Sequence, residues 1–151
     1  MSNPFFENNN WLLITDGPVT GKSIRDFKPA NPNSPYSIWG VLREGPMYEQ
    51  IIPVFESVKN LIEEGVQIDD RPFKNQELNG ILKNLKSRID YYLEYREEPI
   101  DGYKIKMQDS FILIDLRNNA IWDRPLSTMI RLHEILFHAK QTGNTIYLNT
   151  D

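Results

Sequence analysis

Two short stretches carry residue types at spacings close to those of known chemistry. The first, Gly17-Pro18-Val19-Thr20-Gly21-Lys22-Ser23, follows the apolar run "WLLIT" and has the ingredients of a phosphate-binding loop. Such a loop needs four residues between its glycines, because that length lets successive backbone N–H groups wrap a phosphate before a helix begins. Here only three residues stand between Gly17 and Gly21. Pro18 deletes a further N–H donor, Asp16 brings negative charge to where phosphate would lie, and Pro29 ends any helix opened at Ser23 within two turns. Asp115, at the end of "FILID", resembles a magnesium-binding strand terminus, a pattern that any strand ending in aspartate meets. A strand, a turn and no nucleotide are expected, with Lys22 exposed.

The second stretch is His133-Glu134-Ile135-Leu136-Phe137-His138. Two helical histidines chelate zinc at a four-residue step; at the five-residue step found here they point about 140° apart around the axis. Glu134 then has no metal-bound water to activate. A hydrolytic triad built from Ser127 or Ser110 with His133 and Asp123 fails for a similar reason, since Ser127 precedes His133 by six residues on one helix. Acid–base work is open to Asp115, whose burial on a strand would raise its pKa. The plainer role for Asp115 is to accept hydrogen bonds from the turn "RNN" that follows it.

The elements that must position these residues come next. The chain has 151 residues, 40% hydrophobic and 25% charged, which suits a single globular domain spanning residues 1–151. It contains no cysteine, so disulfides, thiolate nucleophiles and Cys-ligated metals are ruled out. The start "MSNPFFENNNW" lacks a basic and an apolar leader region, and no run is long enough to span a bilayer. A cytoplasmic protein without a membrane partner is expected.

Residues 46–64 place Ile51, Phe55, Val58, Leu61 and Ile62 at helical steps, with Gly65 as the stop. Pro53 lacks an N–H, which predicts a turn at 46–48 and a regular helix from Glu49 or Gln50. The stretch "QELNGILKNLKSRIDYYLEYREE" is amphipathic, with Leu78, Ile81, Leu82, Leu85, Ile89, Tyr92 and Leu93 on one stripe. Tyr92 belongs to the core side, whereas Tyr91 and Tyr95 fall toward the surface. From Asp101 the period changes to two: "YKIKM", "FILIDL" and "AIW" read as a β-meander. "LSTMIRLHEILFHAK" is a helix capped by Asp123 and closed at Gly143, and "TIYLN" is a last strand. "SPYSIWGVLREG" fits a short helix with Ser34 as cap and Pro35 in its first turn, or an edge strand; helix is preferred. The expected fold is α+β, an antiparallel sheet from the C-terminal meander and the N-terminal strand packed against about three helices.

The net charge of −4 has a location: residues 46–100 carry eleven acidic and seven basic groups, while the flanking blocks are neutral. That segment repels phosphate backbones, and Lys104 and Lys106 lack the stacking aromatics of a nucleic-acid surface, so no nucleic-acid partner is expected. It attracts basic proteins. The function expected is therefore non-enzymatic protein binding, of the type of an immunity protein that occludes a basic bacterial toxin. Tyr91, Tyr95, Glu94, Glu97, Glu98, Asp69 and Asp70 are its contact residues, and no cofactor, metal or catalytic residue is assigned. The alternative is a small enzyme whose site gathers Asp115, His133 and Arg131.

Overall fold

The computed structural model describes residues 11–22, 26–28, 37–43, 45–73, 75–94, 104–107, 110–113 and 124–150. The elements in order are β1 (Trp11–Thr15), β2 (Ile38–Leu42), α1 (Gly45–Ile51), a 3-10 turn (Ile52–Phe55), α2 (Lys59–Glu63), β3 (Arg71–Phe73), α3 (Asn75–Glu94), β4 (Lys104–Met107), β5 (Ser110–Leu113), α4 (Arg124–Thr142) and β6 (Ile146–Thr150). The fold is α+β. Four strands form an antiparallel sheet in the order β2-β1-β6-β3, and β4 pairs with β5 in a two-stranded sheet of their own.

Alternation along the strands decides what the sheet covers. Leu12 and Ile14 of β1 lie in register with Val41 and Trp39 of β2 and with Thr150 and Leu148 of β6. Phe73 pairs with Ile146. Leu12, Ile14, Trp39, Val41, Phe73, Ile146 and Leu148 therefore share one face, and all are buried in a common apolar cluster with the helices. Phe55 sits at its centre with no exposed surface, 6.4 Å from the Trp39 ring and stacked at 6.2 Å on Phe73. The helical side comes from Leu78, Ile81, Leu82, Leu85 and Ile89 of α3 and Leu126, Met129, Leu132, Ile135, Leu136 and Ala139 of α4. Trp39 adds a polar tie, its Nε1 donating to the Thr128 carbonyl of α4 at 2.9 Å.

The other face of β1 is covered as well. Leu13 packs there with Val19 and Phe27, so the "GPVT" turn and the segment at Phe27 fold back over the sheet. Gly40 in β2 is the residue that allows close approach on this face: a Cβ there would lie 3.0 Å from Leu13 Cδ1 and 3.4 Å from the Trp11 ring.

Several expectations are corrected. Residues 38–42 form a strand rather than a helix, because Trp39 and Val41 alternate into the core. The sheet partners of β1 are β2 and β6, whereas "KIKM" and "SFIL" pair with each other. Arg71–Phe73 is an edge strand for which the sequence offers no periodic signal, being three residues with a central proline, and an edge position tolerates Pro72. The helix of residues 46–64 begins at Gly45, not Glu49, and breaks into α1, the 3-10 turn and α2, since Pro53 cannot donate into a continuous ladder. The breaks let Ile51, Ile52, Val54, Phe55, Val58 and Ile62 all point inward, more than one straight face could bury. Leu61, placed on the apolar stripe by its spacing, is 42% exposed. Its carbonyl accepts from the Val66 N–H at 3.1 Å and that of Ile62 from Gly65 N–H at 3.1 Å, the Schellman closure in which Gly65 takes φ +76°. Among the described residues no helix is long and apolar enough to cross a membrane.

Candidate functional site

The turn after β1 is an anion-binding arrangement already occupied from within the chain. The backbone N–H groups of Val19 and Thr20 each donate to the Asp70 carboxylate at 2.9 Å, one to each oxygen. Asn149 completes the set, its Nδ2 donating to Asp70 Oδ1 at 3.1 Å while its Oδ1 accepts from Asp70 N at 2.7 Å. Asp70 holds φ at +44°, a left-handed conformation that aspartate tolerates better than most side chains. Burial opposes ionisation of this carboxyl, but the hydrogen bonds from Val19, Thr20 and Asn149 outweigh it and keep its pKa below the usual carboxylate range. The donors that would wrap a phosphate are thus taken by a carboxylate fifty residues away. Lys22 is half-buried and its backbone N–H closes a turn onto Val19, in place of the fully exposed side chain expected.

Asp70 is therefore committed to the fold. Asp69 beside it is exposed and accepts from Gln67 Nε2 at 3.3 Å. Both belong to a loop zipped to β6, where Thr150 N donates to Ile68 O at 2.9 Å and Ile68 N to Thr150 Oγ1 at 2.8 Å.

His133 has a different fate from the one the enzyme alternative requires. Its ring is 2% exposed, stacked on Phe137 at 5.5 Å, and Nε2 has no hydrogen-bond partner among the described residues. Desolvation lowers its pKa from 6.5 to about 4, so the ring is neutral and sealed from any substrate. Arg131 is exposed and lines a separate hollow of about 160 Å³ with Ile38, Trp39, Gly40 and Thr128. The two residues do not converge. Asp115, Tyr95, Glu97 and Glu98 lie outside the described residues, as do Asp123 and the "RNN" turn.

A concavity lies between the 3-10 turn and α3. Pro53, Val54, Glu56 and Lys59 form one wall of a groove of about 410 Å³, and Asn84, Ser87, Arg88 and Tyr91 form the other. The α3 residues stand at i, i+3, i+4 and i+7, one helical face, beside the stripe that packs into the core. Tyr91 is 53% exposed, the most exposed large apolar side chain described. The Arg88 guanidinium lies 5.2 Å above its ring, and Arg88 Nη2 donates to Gln50 Oε1 of α1. Glu94, exposed, ends α3 one turn beyond Tyr91. The surface tyrosine and Glu94 of the sequence reading thus come together beside this groove, while Asp69 and Asp70 sit at the β6 loop. Sequence reasoning missed Asn84, Ser87 and Arg88, although their spacing to Tyr91 was a second stripe visible on the same helix.

Comparisons with protein-family models, with curated proteins and with solved structures return no match to this chain.

Proposed function

We propose that this chain is a non-enzymatic protein-binding module, an inhibitor of the immunity type that covers the basic active site of a toxin. The observation that supports this reading is Tyr91: a large aromatic side chain left half in solvent, with an arginine laid on its ring, at the rim of an open groove. Tyrosine and arginine are the residues enriched among interface anchors, where each offers much contact area for few rotatable bonds. Glu94 extends the contact with negative charge, and the acidic excess of residues 46–100 speeds the encounter with a basic partner. Inhibition then needs no chemistry of its own, only occlusion.

The test compares three immobilised proteins against lysate of the native cell: wild type, the double variant Tyr91→Ala/Glu94→Lys, and Lys140→Ala on α4. Quantitative mass spectrometry is expected to find a basic protein enriched by wild type and by Lys140→Ala, and lost by the double variant. Equal retention by all three would sink the reading.

A further inference from the structure

Among the described residues Arg88 is a cation without an anion. Among the described residues the salt bridges are Lys59–Glu63, Arg71–Glu77 and Lys86–Asp90, and Arg88 is in none of them. Among the described residues its one protein acceptor is the neutral amide oxygen of Gln50, and its buried Nε has no acceptor there. A partly buried guanidinium held over an aromatic ring, with donor capacity unspent, is poised for a planar anion that accepts two parallel hydrogen bonds. The groove supplies the rest of such a site. Lys59 stands on the opposite wall and is only loosely paired, 3.8 Å from Glu63. Asn84 and Ser87 add an amide and a hydroxyl one turn back along α3. Glu56 lines the same space, so a doubly charged phosphate meets about twice the repulsion there that a singly charged carboxylate does.

We infer that the groove between the 3-10 turn and α3 receives a carboxylate side chain of the protein partner, clamped by Arg88 with Lys59 opposite. This rests on the protein-binding reading and adds to it the chemistry of the group that enters. A carboxylate reaching Arg88 and Lys59 in this groove would fix the register of docking, since a cation placed there sets like charges against each other.

The test has one arm that needs no partner. ¹⁵N–¹H spectra of the whole protein are followed during titration with N-acetyl-glutamate amide, with its glutamine counterpart, and with inorganic phosphate. Saturable shifts are expected at Asn84, Ser87, Tyr91 and the Arg88 Nε–H with the glutamate compound and not with the glutamine compound. Arg88→Gln is expected to weaken that binding about tenfold, the loss of one charge-assisted hydrogen-bond pair. Arg88→Lys, which keeps the charge and the stem, is expected to weaken it less, and both variants are checked for an unchanged spectrum elsewhere. In the second arm Arg88→Gln is expected to release the protein that wild type retains. Identical shifts from glutamate and glutamine compounds, tighter binding of phosphate, or undiminished partner retention by Arg88→Gln would each overturn the assignment. The first arm can fail while Tyr91 and Glu94 still govern retention, so the two readings fall separately.

Discussion

The buried histidine of α4 makes the stability of this protein depend on pH in a calculable way. His133 has a pKa of about 4 in the folded chain and an ordinary value near 6.5 once unfolded. Between those values the unfolded state binds a proton that the folded state refuses, so stability rises with pH across this window and falls as pH drops from 6.5 to 4. At about 1.4 kcal/mol for each pH unit between the two pKa values, the loss approaches roughly 3 kcal/mol at pH 4. With a urea slope near 2 kcal/mol per molar, the unfolding midpoint moves down by about 1.5 M. Glu134, next in the chain, works against this: burial raises its pKa, partly offset by Arg131, so its folded form gains a proton early and recovers some stability as pH falls. Other carboxylates titrate in the same acid range. The informative quantity is therefore the difference between wild type and His133→Leu, in which those contributions cancel. At pH 7 the two should lie within about 1 kcal/mol, because the variant removes a buried nitrogen with no partner while keeping apolar bulk against Phe137. Between pH 6.5 and 4 the wild-type midpoint should fall progressively below that of the variant. Parallel midpoint curves would refute the account, since they would require His133 to be solvated or hydrogen-bonded in the folded state.

Two further outcomes follow from the same reasoning. Asp70→Ala leaves the Val19 and Thr20 donors without an acceptor and should cost roughly 1–3 kcal/mol in urea unfolding. Its low folded pKa gives wild type a stabilisation present above pH 3.8 and lost below it, which the variant should lack; an unchanged acid limb would contradict the hydrogen-bond set. Phe55→Ala removes the ring between Trp39 and Phe73 and should cost about 3–5 kcal/mol, read from the urea midpoint, with a loss under 1 kcal/mol excluding Phe55 from the centre of the core.

The parts of the fold that sequence reasoning reached are those whose period is local. The Leu78–Ile89 stripe of α3, the α4 stripe ending at Gly143, the runs of β1 and β6 and the exposed position of Tyr91 each follow from spacing within one element. What it missed depends on residues far apart in the chain. Strand β2 has only Trp39 and Val41 to show its period, and the serine and proline ahead of it mimic a helix start. Which strands flank β1 is set by shared burial, for which adjacent "KIKM" and "SFIL" offer no clue. The Asp70 carboxylate meets Val19 across a sequence gap that no spacing rule spans, so an aspartate assigned to the surface turned out to anchor a turn. Arg88 lies off the apolar stripe of α3, where spacing alone does not single it out; only the proximity of α1 places it beside Gln50.

The placement of β6 has a consequence for how the molecule is made. Leu12 near the start pairs with Thr150 near the end, and β3 reaches β1 only through β6. During synthesis β1 can find β2 early, but its second edge and the inner edge of β3 stay open until the last of these strands emerges. Throughout that interval the nascent chain presents two unfilled strand edges beside exposed Leu12, Ile14 and Phe73, a template for pairing between neighbouring chains. Folding of this sheet closes from the middle and last, so conditions that slow translation near residues 146–150 should raise aggregation without changing the stability of the finished protein.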